Sequence, residues 1–272
     1  MDILSDIIAG VKEDTAARQR LAPLEQVRQT ALSRSPALEF PPPELPLFSL
    51  ICEVKRSSPS KGSLAEIADP AALAREYQAG GAGAISVLTE QRRFHGSLED
   101  LAAVRTAVDI PVLRKDFIVS EYHVYESRAY GADLVLLIVA GLGHDELEHL
   151  YGLTVELGMT PLIEVHTPEE AQVIQQLRPR LVGVNTRNLK DLSVDIHRFD
   201  EVARHLAGST VIVGESGVST REDIEYLALR GARMALVGEA LVTGDDPKAN
   251  VEYLTGAGER TVAGMTVEPY KW

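Results

Sequence analysis

Short apolar segments of this sequence repeatedly end in a side chain that carries charge or forms hydrogen bonds. Five segments do so, and the residues concerned are Glu53 with Lys55, Lys115, Glu164, Asn185 and Glu215. Burying such groups without partners costs roughly 2 to 7 kcal/mol even for a neutral one, so their recurrence needs a reason. Acids and ammonium groups at close quarters shift one another's pKa values and suit proton transfer. The pattern therefore indicates a catalytic site that uses side-chain acids and bases.

These segments belong to a series of eight short, nearly continuous apolar runs, separated by longer stretches of helical periodicity. The alternation is typical of an α/β protein whose parallel strands are covered on both faces. The predicted strands are Ser49–Val54, Ala84–Leu88, Pro111–Lys115, Asp133–Ile138, Thr160–Glu164, Leu181–Asn185, Thr210–Glu215 and Arg233–Gly238. Eight such units in 272 residues, without a long linker, favour a closed (β/α)8 TIM barrel over an open doubly wound sheet.

Helix starts lie where the crossovers between strands require them. The predicted starts are Asp69 before Pro70, Ser97 with Asp100, Ser120 with Glu121, Thr167 before Pro168, and Thr220 with Asp223. A Gly-Ala pair also precedes three strands, beginning at Gly83, Gly131 and Gly231. Each of these glycines is predicted to supply the left-handed residue that ends the preceding helix.

Residues 1–48 form a predicted helical extension that precedes the barrel, which is assigned to residues 49–272. Apolar residues at helical spacing form one stripe in the extension: Ile3, Leu4, Ile7, Ile8 and Val11. A second helix is predicted from about Leu24, and the proline-rich residues 36–46 are predicted to be extended. The stripe predicts packing on the barrel, and it fits a helix at the bottom as well as one over the mouth.

A barrel of this type gathers its active site from the carboxyl ends of its strands. Because side chains alternate along a strand, Glu53 and Lys55 are predicted to point together into the mouth. Gly217 and Gly238 follow the last two strands, where backbone N–H groups of such barrels often bind phosphate. The loop 55–62, rich in cations and hydroxyls, is a second candidate for anion binding, with a solvated loop as the alternative.

Bulk properties exclude several classes of function. The net charge of −13 disfavours a nucleic-acid surface, which needs clustered cations. No apolar run approaches the 18 residues that a membrane span requires, and the first residues do not resemble a signal peptide. We therefore expect a cytoplasmic protein that binds a small molecule, as a monomer or, alternatively, a weak homodimer.

The sequence contains little that would indicate a metal site or a cofactor site. The single Cys52 excludes an internal disulfide and is predicted to be a buried apolar residue. His144 and His149 would lie about 140° apart around a helix, so they do not share a ligand face. Neither a Walker loop nor a dinucleotide fingerprint is present, and we expect no metal and no cofactor.

Motifs at the strand ends, in one order along nearly the whole chain, resemble the indole-3-glycerol phosphate synthase family. The motifs lie at Glu53–Gly62, Val87–Glu90 with Phe94–Leu98, Leu113–Ile118, Leu162–His166, Gly183–Leu189, Gly214–Gly217 and Leu236–Gly238. The resemblance implies a carboxy-lyase of tryptophan biosynthesis that needs no cofactor. The implied reaction closes the ring of 1-(2-carboxyphenylamino)-1-deoxyribulose 5-phosphate to give indole-3-glycerol phosphate, carbon dioxide and water.

The same resemblance implies a role for each matching residue. Lys115 would be the general acid toward the substrate carbonyl, and Glu164 the acid or base of the dehydration. Lys55 would hold the substrate. The supporting and lining residues would be Glu53, Asn185, Glu215 and Ser216, and the phosphate site Ser58, Arg187, Gly217 and Gly238. Independently of the resemblance, loss of carbon dioxide requires an apolar, water-poor surrounding, for which Phe117, Leu137 and Pro59 are the expected walls.

Two positions depart from the pattern of some relatives. Thr186 stands where some have a second Asn, and Glu239 stands after Gly238 where some have Ser. The second departure leaves backbone N–H groups as the expected phosphate donors of strand 8. The N-terminal helices of the family help to cover the substrate, which favours the mouth for residues 1–48.

Three rival functions remain open at this stage. A phosphoribosyl isomerase would share the phosphate corner but would carry paired acids on strands 1 and 5, whereas strand 1 here has Glu53 beside Lys55. A Schiff-base aldolase would use Lys115 as its nucleophile. A silent binding module would not need acids and bases at five strand ends.

Overall fold

The eight apolar runs form parallel strands that close into one barrel. The computed structural model describes residues 3–42, 44, 46–58, 62–64, 66–189, 191–243 and 245–265. The barrel strands are β1 (Ser49–Val54), β2 (Ala84–Leu88), β3 (Val112–Lys115), β4 (Leu134–Ile138), β5 (Thr160–Val165), β6 (Leu181–Asn185), β7 (Val211–Glu215) and β8 (Met234–Val237). The strands pair in chain order, and β1 closes the ring on β8 with Cys52 opposite Val237. The predicted (β/α)8 barrel is confirmed.

Helices surround the strands and precede the first of them. They are α1 (Ile3–Leu21), α2 (Leu24–Leu32), α3 (Pro70–Ala79), α4 (Leu98–Ala107), α5 (Glu121–Ala129), α6 (His144–Glu156), α7 (Pro168–Val173), α8 (Arg198–Ala203), α9 (Arg221–Leu229), α10 (Glu239–Val242) and α11 (Pro247–Gly264). Short 3-10 turns occupy Val139–Gly141 and Ile174–Leu177, and a small antiparallel pair joins Ser57–Ser58 to Gly62–Ser63. Among the described helices, none has the length and apolar character to cross a membrane.

The predicted helix starts are confirmed, four of them with a side-chain cap. Asp69, Ser97, Thr167 and Thr220 each accept a hydrogen bond from a backbone N–H of the first turn. Ser120 occupies the cap position of α5 without capping it, because its hydroxyl contacts the Nδ1 atom of His123 at 2.9 Å.

The prediction that the glycine of each Gly-Ala pair is the left-handed residue ending a helix is confirmed for two pairs and wrong for the third. Gly131 and Gly231 have φ of +93°, as the left-handed end of a helix requires. In the unit before β2 the left-handed residue is Gly81, with φ of +89°, and not Gly83. Gly83 serves a close approach instead, since a Cβ atom there would lie 2.2 Å from the hydroxyl oxygen of Ser49.

Side-chain alternation along each strand divides the core into two layers. In β4, Leu134, Leu136 and Ile138 face the barrel interior, whereas Val135 and Leu137 pack outward against the helices. Cys52 is fully buried in the outer layer, as predicted.

The segment before β1 reaches both ends of the barrel. Phe40 is 1% exposed and packs into the lower interior layer, where its carbonyl oxygen accepts a hydrogen bond from the Thr160 hydroxyl. Helix α2 packs on α5 through Val27 and Ala31. Helix α1 lies at the other end, because Ile3, Leu4 and Ile7 line the cavity at the carboxyl ends of the strands. The apolar stripe therefore faces the mouth.

Candidate active site

A cavity of about 710 Å³ opens at the carboxyl ends of the strands. That volume lies within the range of small-molecule binding sites. Its upper wall is apolar and contains the α1 stripe with Phe94 and Phe117. Its floor carries the charged and amide residues predicted from the strand ends, which are Glu53, Lys55, Lys115, Glu164, Asn185 and Glu215. An apolar cover over a charged floor excludes water and strengthens electrostatic interactions below it.

Lys115 lies at the centre of the charged floor. Its Nζ atom donates a hydrogen bond to Glu164 Oε2 at 3.2 Å and lies 3.8 Å from Glu215 Oε2. Both carboxylates are 2% exposed, so they depend on protein partners for their stabilisation. One ammonium group, carried by β3, thus serves two buried acids, one at the end of β5 and one at the end of β7.

The pKa values of the two acids that share this ammonium group are shifted in opposite directions. Burial alone would raise the pKa of Glu164, but Lys115 and His166 outweigh it and hold the pKa well below its ordinary value. Burial together with the charge of Glu164 raises the pKa of Glu215 well above its ordinary value, although Lys115 opposes the rise. Burial would lower the pKa of Lys115, but the carboxylates around it raise the pKa instead. The arrangement therefore favours the ionised forms of Glu164 and Lys115 and shifts Glu215 toward its protonated form.

The charged pair of β1 lies beside this centre. Lys55 Nζ contacts Glu53 Oε1 at 2.7 Å, as expected for neighbours on one face of the strand. Two glycines make room for the acids: a Cβ atom on Gly238 would lie 2.7 Å from Glu53 Oε1, and one on Gly183 would lie 1.9 Å from Glu215 Oε1. Side chains at these two strand positions would displace the buried carboxylates.

The predicted phosphate residues line one corner of the same cavity. They are Ser58, Arg187, Gly217 and Gly238, with Ser216 and Glu239 beside them. Arg187 is held by its backbone N–H, which donates to Asn185 Oδ1 at 3.0 Å, and by its guanidinium, which donates to the Leu192 carbonyl at 3.0 Å. Ser216 and Gly217 have φ of 65° and 73°. Such a conformation is costly for serine and occurs mainly where a binding loop requires it.

Two of the predicted apolar walls are not placed in the cavity. The prediction of Leu137 as a cavity wall is wrong, because the alternation of β4 turns its side chain outward into the helix layer. Leu136 and Ile138 line the cavity in its place. Pro59 lies outside the described residues. Phe117 lines the cavity as predicted.

His166 is a member of the site to which the sequence reasoning gave no role. Its ring is 4% exposed and lies between two acids, with Nε2 3.3 Å from Glu164 Oε1 and Nδ1 3.5 Å from Glu170 Oε2. These contacts are ion pairs and not well-aligned hydrogen bonds. Its position two residues after Glu164, on the same face at the end of the strand, was the available signal.

The two acids control the charge of His166. Burial alone would lower the pKa of the imidazole, but the carboxylates of Glu164 and Glu170 outweigh burial and raise the pKa to about 9. A raised pKa contributes stability that is complete below the unfolded value and is lost as the pH rises through the folded value. The imidazolium should therefore stabilise the fold near pH 6 and cease to do so above about pH 9.

We expect His166→Asn to lower the free energy of unfolding more at pH 6 than at pH 9.5. The difference between the two pH values should reach up to about 3 kcal/mol, measured by urea unfolding. His149→Asn is the matched control, because His149 is exposed and pairs with Glu121 at 2.6 Å. A loss of stability that is the same at both pH values would mean that the folded protein holds His166 neutral.

Among the described residues, no group of three or more His, Cys, Asp or Glu side chains is arranged to hold a metal ion. His144 and His149, the pair considered from the sequence, are both exposed. The cavity also contains the cations Lys55, Lys115 and Arg187, which could pair with the charges of an organic anion.

Solved structures with a similar barrel differ widely in sequence. 3-Hexulose-6-phosphate synthase from Salmonella typhimurium has a TM-score of 0.64 at 13% identity, and the match covers 79% of this chain and 100% of that chain. Thiamine phosphate pyrophosphorylase from Pyrococcus furiosus has a TM-score of 0.58 at 17% identity, covering 79% of this chain and 96% of that chain. At such identities the likeness concerns the fold alone.

Comparisons of sequence are much closer. A family model described as indole-3-glycerol phosphate synthase matches residues 4–254. The indole-3-glycerol phosphate synthase of Streptomyces griseus is 52% identical over 260 residues, which cover 95% of this chain and 96% of the relative. The enzyme of that name from Mycobacterium sp. strain KMS is 51% identical over 257 residues, covering 94% of both chains.

A closed parallel barrel with ammonium groups set among buried acids at its mouth defines a barrel enzyme that works by acid–base chemistry. The extent of the sequence matches then decides the particular enzyme. The chain belongs to the indole-3-glycerol phosphate synthase family, a family of carboxy-lyases of tryptophan biosynthesis.

Proposed function

We propose that the cavity converts 1-(2-carboxyphenylamino)-1-deoxyribulose 5-phosphate to indole-3-glycerol phosphate with release of carbon dioxide and water. The observation that carries this proposal is the Lys115 ammonium, held between Glu164 and Glu215 beneath an apolar cover. A ring closure of this kind needs a proton donor for the carbonyl, a base for the later steps and little water around the departing carboxylate.

Lys115 protonates the substrate carbonyl in this proposal, which makes the carbonyl carbon electrophilic enough for attack by the aromatic ring. The ammonium also stabilises negative charge as it develops on that oxygen. Lys55 and its partner Glu53 then hold the substrate beside the reacting atoms. Phe117 and the apolar residues of α1 form the dry wall around the departing carboxylate.

Glu164 and Glu215 divide the later proton transfers. Because the lowered pKa keeps Glu164 ionised, it begins as the base that removes a proton, and it returns that proton during dehydration. The raised pKa of Glu215 favours its protonated form, in which it can donate a hydrogen bond to Glu164. Asn185 fixes the backbone turn that carries Arg187, and Ser216 completes the wall.

The phosphate occupies the corner formed by Ser58, Arg187, Gly217 and Gly238 in this proposal. Arg187 supplies the cation, and the glycines allow backbone N–H groups to approach the anion. The carboxylate of Glu239 lines the same corner and should repel the phosphate.

We expect Glu239→Ser to lower the KM for the phosphorylated substrate by roughly threefold to tenfold with little change in kcat, because repulsion of the bound phosphate is removed. Steady-state kinetics at low ionic strength measure the effect. Glu148→Ser changes the net charge equally at an exposed position of α6 and should leave KM unchanged. A KM that rises in the Glu239→Ser variant would place the phosphate elsewhere.

Residues 1–48 act as an extension of the catalytic barrel at 49–272, with α1 covering the mouth and Phe40 closing the bottom. The partner is a small phosphorylated molecule, without nucleic acid or membrane. We propose a cytoplasmic monomer, with a weak homodimer as the alternative.

The decisive experiment is an assay of the purified protein with the carboxyphenylamino substrate, followed by the fluorescence of the indole product. We expect turnover without added metal or cofactor. Absence of indole, together with trapping of a carbonyl substrate on Lys115 by borohydride, would support the Schiff-base aldolase instead.

A further inference from the structure

The outer face of β3 carries a buried arginine where the other strands present apolar side chains to the helices. Arg114 is fully buried, and its guanidinium contacts Asp116 Oδ2, Glu126 Oε2 and the Thr89 hydroxyl, each at 3.0 Å. A buried charge is tolerated only when partners of good geometry surround it. Arg114 and its three partners therefore hold one another in place.

Glu126 connects this arginine to the N-terminal helix. Arg18 of α1 donates to both oxygens of the Glu126 carboxylate, from Nε at 2.7 Å and from Nη2 at 3.1 Å. One turn away, the Thr15 hydroxyl contacts His123 Nε2 at 2.6 Å. Two polar contacts thus join α1 to α5 of the barrel, although the paired residues are 108 residues apart in sequence.

The chain of ion pairs is balanced in charge. Two arginines, Arg18 and Arg114, face two acids, Glu126 and Asp116. Burial would raise the pKa of Asp116, but Arg114 outweighs burial and lowers it, so this acid stays ionised. Burial and the charge of Arg114 lower the pKa of His123 to about 4, so the ring adds no charge at neutral pH. Around neutral pH Asp116 therefore keeps its charge and His123 stays neutral.

The other end of the chain reaches the cavity. Arg114 and Asp116 flank Lys115 in sequence, and Asp116 Oδ1 accepts the backbone N–H of Phe117 at 2.8 Å. The carboxylate that pairs with the buried arginine thus also fixes the turn that carries the Phe117 wall. At its other end, α1 presents Ile3 and Ile7 to the same cavity.

We propose that the Arg18–Glu126–Arg114–Asp116 chain couples the seating of α1 over the cavity to the placement of Lys115 and Phe117. Arg18 and Glu126 are positioning residues: they do not line the cavity and act through the end of β3. The inference rests on the proposed function, because it takes Lys115 to be the proton donor.

The structure offers a matched control for this coupling. Helix α1 is also tethered by Arg92, whose guanidinium contacts Asp14 at 2.7 Å and Glu13 at 2.9 Å on the surface. This surface tether holds α1 to the loop after β2 without contacting β3. Loss of Arg92 loosens α1 around the Arg18 anchor and leaves the link to β3 intact, so only loss of Arg18 should disturb Lys115.

The experiment compares Arg18→Met with Arg92→Met in the full chain. Arg18 is 26% exposed, so its replacement strips one partner from Glu126 without opening the barrel. We expect Arg18→Met to lower kcat roughly tenfold with KM within about threefold, since small misplacements of a catalytic group are costly. Arg92→Met should keep kcat within about twofold. Arg18→Lys keeps the charge but loses the two-point guanidinium contact with Glu126, so it should recover part of the kcat lost in Arg18→Met.

Hydrogen exchange provides a readout that does not depend on activity. Peptides that contain the Phe117 amide should exchange faster in Arg18→Met and unchanged in Arg92→Met, whereas α1 peptides should exchange faster in both. Equal losses of kcat in the two variants, or unchanged exchange at Phe117 in Arg18→Met, would overturn the coupling. If the wild-type protein makes no indole product, the proposed function fails, while the exchange result still decides whether α1 and β3 are linked.

Discussion

Replacing Lys115 by Met should lower the turnover of the carboxyphenylamino substrate by at least about 10². The change removes the only ammonium that contacts both Glu164 and Glu215 within the described residues, and it roughly preserves the length of the side chain. Proton donation and charge stabilisation are lost together. The measurement is kcat from indole fluorescence at saturating substrate.

Lys115→Arg separates these two losses. A guanidinium keeps the positive charge, but it is effectively never deprotonated in proteins and so cannot serve as the proton donor. If Lys115 is the acid, the Arg variant should also lose at least about 10² in turnover and still bind a substrate analogue. Substantial turnover in this variant would mean that charge alone suffices, and Lys55 would then become the better candidate for the donor.

Glu164→Gln should reduce turnover by roughly 10² or more with a modest change in substrate affinity. The amide keeps the shape of the side chain but cannot accept and return a proton. It also removes the negative charge that, after burial, most raises the pKa of Glu215, so the pKa of that acid should fall. Kinetics at several pH values measure both effects.

The control for this variant is Glu170→Gln, which changes the other acid beside His166 and leaves the Lys115 contact intact. Its effect on turnover should be much smaller. Near-normal turnover in Glu164→Gln would reassign the proton transfer to Glu53 or Glu215.

Strand positions were predictable because buried parallel strands leave a strong signal in the sequence. β2 and β6 have the predicted limits, and β5 extends one residue further, to Val165. The inward direction of Glu53 and Lys55 followed from alternation within β1. The same rule, applied to β4, would have excluded Leu137 and selected Leu136.

Contacts between distant side chains were not predictable from this single sequence. Arg18 and Glu126 are 108 residues apart, and each alone resembles an ordinary surface charge on a helix. The charge of His166 likewise depends on Glu170, which comes from the next helix, and on the desolvation that burial brings. Phe40 lies in a proline-rich connection whose composition predicts only an extended chain, so its place at the bottom of the barrel had no local signal.

The spacing of the tethers along α1 has a mechanical consequence. Arg18 anchors the helix near its carboxyl end in the protein interior, whereas Asp6, Glu13 and Asp14 hold the preceding turns by surface ion pairs that salt screens. At 1.5 Å per residue, Ile3 stands about 22 Å along the axis from Arg18. A tilt of the helix by about 10° about the Arg18 anchor would therefore move Ile3 by about 4 Å. High ionic strength should therefore free the tip of α1 before it disturbs the anchor.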